Sequence, residues 1–288
     1  MLDGVASATA FGAAMMRAAH LVLDDDPKVH VDPYAERFLD ERRRALMHDR
    51  TVMGTTATCW SRANIVARAA FTDAALVDAL DAGCEQVVVL GAGLDSTALR
   101  LADRLSAVPT FEVDHPATQA YKRRVLAELD AAEHVRFAPV DFERDSLAAA
   151  LAAAGWDPAR PTFWSWLGVT MYLTDAAIFA TLGFVATSAP GSVVVTNYSV
   201  HADDMDPDDV AVRERSAEGV ARSGEPWLSF FRHADMVERT RALGFAEVTS
   251  LDHREMDGRY FAGRTDGLTW RSPTAMLVAR RGAPLPVR

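Results

Sequence analysis

The chain has 288 residues, 49% hydrophobic and 24% charged, a balance that excludes a disordered or fibrous protein and suits a globular one with a large buried core. A formal charge of −10 and a pI near 5.3 argue against a nucleic-acid or anionic-membrane partner, which would need a basic face. Two cysteines, Cys59 and Cys84, form neither a C-x-x-C pair nor a cluster with histidine, so neither a disulfide framework nor a metal site is expected, and a cytoplasmic location fits.

The opening stretch "MLDGVASATAFGAAMMRAAH" lacks a charged region before an unbroken apolar core, so it does not read as a signal peptide. No run approaches the roughly 18 apolar residues of a membrane span. Residues 1–64 read as a helical cap. Ile65, Val66, Ala69, Leu76, Val77 and Leu80 then approximate one apolar helical face that stops at Gly83.

Strands and helices alternate from there. "QVVVL" (86–90) predicts a strand and Ser96 to Leu105 a helix. "TFEVD" (110–114) is a strand, and Pro116 opens the next helix, a favoured first-turn position. "VRFAPVD" (135–141) is a strand, followed by a helix from Asp145 to Ala154 with Gly155 as its cap. "TFWSWLGV" (162–169), a helix over Asp175–Ser188 and "SVVVTNYS" (192–199) continue the series. Helical excursions over 201–273 enclose a helix at His233–Leu243 and a strand at Phe245–Leu251, before a final strand "TAMLVAR" (274–280) within the 274–288 tail. Strands separated by helices of ten to fifteen residues imply an α/β fold with a mostly parallel, doubly wound sheet, about seven strands in one domain over 1–288 with its core at 65–200.

In such sheets ligands sit beyond the carboxyl ends of the strands. After the first strand comes "GAGLDS", where Gly91 and Gly93 let the backbone approach a ligand. The second strand ends in Asp114, about twenty residues on, the spacing at which a carboxylate can accept ribose hydroxyls. The third ends in Asp141 and Phe142, which suit an adenine amine and ring. An adenosine-containing cofactor is expected. Nicotinamide cofactors want a third glycine at the position held by Ser96, and Asp95 would face their pyrophosphate. S-adenosylmethionine has no phosphate and carries an ammonium, so it fits better.

The motifs "VVLGAGLDSTALRL", "FEVDHP", "VDFE" and "WLGVTMYL" resemble those of the leucine carboxyl methyltransferase family, which includes polyketide O-methyltransferases of tetracenomycin type. The cap "RAAHLVLDDDPKVHVDPYAERFL" and the later "GEPWLSFF" and "RYFAGRTDGL" extend the resemblance nearly end to end. It implies a class I methyltransferase (Rossmann-like) sheet with its last strand antiparallel, and S-adenosylmethionine as cofactor. It further implies that Arg68 pairs with the cofactor carboxylate. Gly91 and Gly93 would border its methionine end, Asp114 the ribose, and Asp141 with Phe142 the adenine. Two positions depart from the family. Leu167 stands where a glutamate is usual, removing a carboxylate for which Asp95 could compensate, and Thr97 stands where many relatives have arginine, although the leucine carboxyl methyltransferases themselves have threonine there.

The resemblance implies methyl transfer to a carboxyl or hydroxyl oxygen of a small molecule. A carboxylate acceptor needs no general base. A hydroxyl acceptor needs one, and His201 or His233 would be the candidates. Trp227, Phe230, Phe231, Tyr260, Phe261 and Arg264 are expected to wall an aromatic acceptor pocket, and His201, Tyr260 and Arg264 are the candidate catalytic residues. "DDMDPDD" (203–209) lacks the glycine and final glutamate of a calcium loop and reads as a solvated acidic turn. Leu167 also leaves open a cofactor-binding homologue without transfer activity.

Overall fold

The computed structural model describes residues 7–129, 134–141, 144–207, 209–210, 213–214, 217, 226–271 and 273–282. The strands are β1 (Gln86–Leu90), β2 (Thr110–Asp114), β3 (Val135–Pro139), β4 (Thr162–Trp166), β5 (Val193–Ser199), β6 (Glu247–Leu251) and β7 (Thr274–Arg280). They form one sheet in the order β3-β2-β1-β4-β5-β7-β6. β1 to β5 pair parallel, while β7 runs antiparallel to both β5 and β6. This is the class I methyltransferase-like architecture expected from the sequence.

The burial of each strand follows its place. Every residue of β1, β2, β4 and β5 is buried, as interior parallel strands covered on both faces require, and their runs of valine and aromatic residues suit that environment. The edge strands β3 and β6 are partly exposed. Alternate residues of each strand feed two cores on opposite faces. Val88, Leu90, Trp164, Trp166 and Val194 pack with Ile178, Leu182 and Met236. Val87, Val89, Phe163, Val193 and Val195 pack with Val66, Ala67, Leu76 and Trp270. The second face is roofed by the long helix Thr56–Asp81, which begins at Thr55, whose side chain accepts the Thr58 N–H. A third cluster, with Phe11, Phe38, Met47 and Met53, holds the cap to Leu94 and Leu99 beside the glycine turn.

Several expected boundaries shift. The helix foreseen over 96–105 breaks at Leu101 into two single turns, Thr97–Arg100 and Ala102–Leu105. β3 and β4 end earlier than expected, at Pro139 and Trp166, because the chain leaves the ladder to form the loops of the site. The excursion over 253–273 contains a helix, His253–Tyr260, announced by a capping box in which Asp252 and Glu255 satisfy each other's backbone N–H groups. The glycine expected to cap the alanine-rich helix does so: Gly155 has φ +90 and its N–H bonds back to Leu151 and Ala152.

Candidate cofactor site

The turn after β1 is left-handed at Gly91 (φ +61) and Gly93 (φ +50), which explains both glycines. A Cβ on Gly91 would collide with the Val169 side chain in the loop after β4, and one on Gly93 would stand 3.1 Å from the Ala10 Cβ of the cap. The glycines therefore let two protein segments close on the turn, a packing reason beside the ligand access that the sequence reading expected of them. Asp95 continues the turn, its carboxylate accepting the Thr97 N–H at 2.8 Å.

Asp114, at the end of β2, is buried and ties the neighbouring strand ends together. One carboxylate oxygen accepts the Gly93 N–H and the other accepts its neighbour's, from His115, at 2.6 Å. Burial pushes its pKa above the ordinary carboxylate value, against the opposing pull of those two N–H groups. Asp141 follows the end of β3, half-buried, with Arg144 3.7 Å from its carboxylate. Phe142 lies outside the described residues.

Arg68 projects from the long helix onto the carboxyl end of β4. Its guanidinium lies against Gly168 (φ +73), with Nη2 2.8 Å from the place a Cβ would take. Among the described residues it forms no ion pair. Nη1 donates to Asn64 Oδ1 over a stretched 3.5 Å. Burial, reinforced by the positive charge of Arg17, lowers its pKa to about 10, so it is a fully charged cation at neutral pH, with no anion among the described residues to balance it. Leu167, the residue before Gly168, packs into the apolar face under the long helix. Arg68, Gly91, Gly93 and Asp114 thus surround the carboxyl ends of β1, β2 and β4. A cation without a counterion beside a glycine turn and a ribose-spaced aspartate fits the methionine carboxylate of S-adenosylmethionine.

The cap is fixed over this site by buried charge pairs that sequence reading missed. Arg17 pairs with Asp32 at 2.8 Å and donates to the Leu94 carbonyl of the glycine turn at 2.6 Å. Asp32 also accepts the Ser96 hydroxyl at 2.7 Å, and Arg100 pairs with Asp73, which His30 contacts at 3.2 Å. Asp24 takes Arg62 in a two-pronged bond at 2.6 and 2.7 Å and meets His20 at 2.8 Å. The available signal was the run "LDDDPKVHVD" opposite arginines inside apolar helices, since a buried arginine demands a carboxylate.

The residues expected to face the acceptor do not form one wall. Phe231 belongs to the core on one face of the sheet, whereas Tyr260 and Phe261 pack into the core on the other. Closeness in sequence to the excursions did not reveal which face each aromatic would take. Arg264 is occupied as a clamp: it pairs with Asp266 and donates to the Pro27 and Asp25 carbonyls at 2.7 and 2.8 Å. His201 is half-buried and its Nδ1 accepts the Asp203 N–H at 3.2 Å. With Asp175, Phe230, Phe231 and Arg239 it lines a concavity of about 410 Å³ that includes none of the cofactor residues above. His233 Nδ1 lies 2.7 Å from the Tyr198 hydroxyl. In the acidic turn, Asp203 pairs with Arg232, Asp206 with Arg254 at 2.5 Å and Asp209 with Arg271 at 3.3 Å. Asp206, Asp209 and His253 converge closely enough to hold an ion, but arginines already balance both carboxylates. No described helix is long and apolar enough to cross a membrane.

Residues 10–186 match the family model described as leucine carboxyl methyltransferase. A "putative S-adenosyl-L-methionine-dependent methyltransferase" of Frankia alni is 37% identical over 76% of this chain and 67% of its own length. Proteins of the same name from Streptomyces coelicolor and Bacillus subtilis are 36% and 31% identical, over 70% and 71% of this chain and 70% and 68% of theirs. Two solved structures share the fold. One is a DUF574 family protein from Streptomyces avermitilis, with TM-score 0.56, 17% identity and 92% and 96% of the two chains covered. The other is a "putative methyltransferase" from Thermobifida fusca, with TM-score 0.55, 15% identity and 92% and 98% covered. The chain belongs to the leucine carboxyl methyltransferase family and is an S-adenosylmethionine-dependent methyltransferase.

Proposed function

We propose that this methyltransferase acts on an oxygen of a small metabolite, with a carboxylate as the favoured acceptor and an aromatic or polyketide acid as the favoured class. The observation that carries the cofactor half of this reading is the unbalanced Arg68 cation beside Gly168. Bound S-adenosylmethionine supplies a methyl group on a sulfonium, already activated for in-line displacement. The work left to the protein is binding and orientation, which can lower a barrier by up to roughly 7–11 kcal/mol. Arg68 holds the cofactor carboxylate, Asp114 the ribose hydroxyls and Asp141 the adenine amine, with Gly91, Gly93 and Asp95 bordering the methionine end. Phe142 would take the adenine face.

The acceptor half rests on the basic residues. A hydroxyl acceptor must lose a proton to a nearby base. His201 is turned into a cap at the surface, and His233 is engaged by Tyr198 and Ser250. Neither projects from the elements that carry Arg68, Gly91 or Asp114. A carboxylate is ionised at neutral pH and needs no such base. The protein would work in the cytoplasm, without a nucleic-acid or membrane partner and without a metal. Incubation with methyl-labelled S-adenosylmethionine and a panel of aromatic acids and phenols tests this. Label released by mild base marks an ester and supports carboxyl transfer, whereas base-stable label on phenols alone overturns it.

Leu167 favours a second reading, a homologue that binds the cofactor without transferring its methyl group. Binding of S-adenosylhomocysteine with no transfer to any member of the panel would support it.

A further inference from the structure

β5 changes character along its length on the face toward the long helix. Val193 and Val195 feed the apolar core there, and the next two residues on that face are Asn197 and Ser199. Both are completely buried. Asn197 Oδ1 accepts the Gly168 N–H at 2.7 Å, and because only the oxygen can accept, this bond fixes the amide's orientation. Its Nδ2 is then left as a donor with no partner among the described residues, and the Ser199 hydroxyl has none there either. Buried donors are seldom left unpaired, and those that are call for an explanation.

Gly168 joins this orphan to Arg68. Its N–H is held by Asn197, and its Cβ position is faced by the Arg68 guanidinium. Asn64 completes the group, with Nδ2 on Thr274 at 2.9 Å and Oδ1 toward Arg68. The strand end thus collects a charged donor and a neutral donor around one peptide, and among the described residues no carboxylate pairs with Arg68. We propose that the Asn197 amide is a second donor, beside Arg68, for a ligand carboxylate at the carboxyl end of β4. The proposal deepens the cofactor-site reading and rests on its placement of Arg68. The carboxylate has two available sources: the methionine end of the cofactor, or the acceptor, since β5 lies on the far side of β4 from the glycine turn.

The composition of the chain makes this directly observable, because Asn64 and Asn197 are its only asparagines. Protein labelled with nitrogen-15 asparagine shows two side-chain NH2 pairs, and an Asn64→Ser variant assigns them. The probes are S-adenosylhomocysteine, then 5′-methylthioadenosine, which lacks the amino-acid end, then benzoate added to protein saturated with S-adenosylhomocysteine. Movement of the Asn197 pair with S-adenosylhomocysteine but not with methylthioadenosine supports the proposal and names the cofactor as source. Movement only with benzoate supports it and names the acceptor. A pair silent to all three, or moving equally with both adenosine ligands, overturns it. Asn197→Asp keeps the acceptor for Gly168 and replaces the donor by a negative charge. With the cofactor as source, it should weaken S-adenosylhomocysteine at least tenfold and methylthioadenosine less than twofold. If calorimetry finds that neither adenosine ligand binds the wild-type protein, the cofactor-site reading itself falls.

Discussion

The Arg68 guanidinium and Gly168 define each other's positions: Nη2 stands 2.8 Å from the point at which a Cβ on that glycine would project. A left-handed backbone with a cation against it leaves no room for a side chain, so the two residues act as one unit. Losing a charge-assisted hydrogen bond costs about 1.5–3 kcal/mol, or roughly ten- to a hundredfold in affinity. Arg68→Ala is expected to weaken S-adenosylhomocysteine by at least that factor and to leave methylthioadenosine nearly unchanged. Gly168→Ala should weaken the same ligand less, by displacing the guanidinium. Calorimetry in which Arg68→Ala binds like wild type would place the methionine end elsewhere.

Asp114 and Asp141 should differ in weight. Asp114 holds the glycine turn through Gly93; in the proposed roles a ribose diol offers it two hydrogen bonds, where an adenine amine offers Asp141 one. Asp114→Ala is therefore expected to lose more affinity for methylthioadenosine than Asp141→Ala. The reverse order would exchange or remove the assigned roles.

Much of this arrangement was legible in the sequence because parallel sheets announce themselves. Runs such as Val87–Val89 and Val193–Val195 can only be buried on both sides, and glycines after β1 mark where the backbone must turn left-handed. Asn197 and Asn64 were not legible. A single polar residue in a buried strand shows neither its face nor its partner until the register with the neighbouring strands is known. Tyr260 and Phe231 failed for the same reason, since the sheet itself separates them. The cap pairs, such as Arg17 with Asp32, required knowing which arginines fold inward.

Asp32 gives the pH dependence a sign. Burial pushes its carboxyl upward, but Arg17, Arg100 and the Ser96 hydroxyl outweigh it and hold the pKa at about 2, below the ordinary 3.8. A carboxylate depressed on folding contributes its stability above the unfolded value and loses it as the pH falls through the folded one. About 2 kcal/mol should fade between pH about 4 and pH about 2. Asp32→Ala strands the Arg17 charge and is expected to cost about 3–5 kcal/mol at neutral pH, on the order of 10 °C in Tm. It should also flatten the acid limb of a pH series of thermal melts. An unchanged acid limb in the variant would remove Asp32 from the account.

Leu167 decides whether the site works without the carboxylate that the family resemblance implies at this position. It packs beside the apolar face of the long helix and directly precedes Gly168, so a longer polar side chain there would emerge next to Arg68. Leu167→Glu removes apolar packing from a half-buried position, and a modest fall in Tm is expected. A carboxylate at that point offers the cofactor ammonium an acceptor while Arg68 keeps the cofactor carboxylate. Affinity for S-adenosylhomocysteine should then hold or rise, with methylthioadenosine, which has no ammonium, unaffected. Should the glutamate instead abolish S-adenosylhomocysteine binding, it has captured Arg68 for itself, and the two ends of the amino-acid group cannot lie as assigned. A rise in affinity without a rise in methyl transfer would show that Leu167 limits cofactor grip and not turnover.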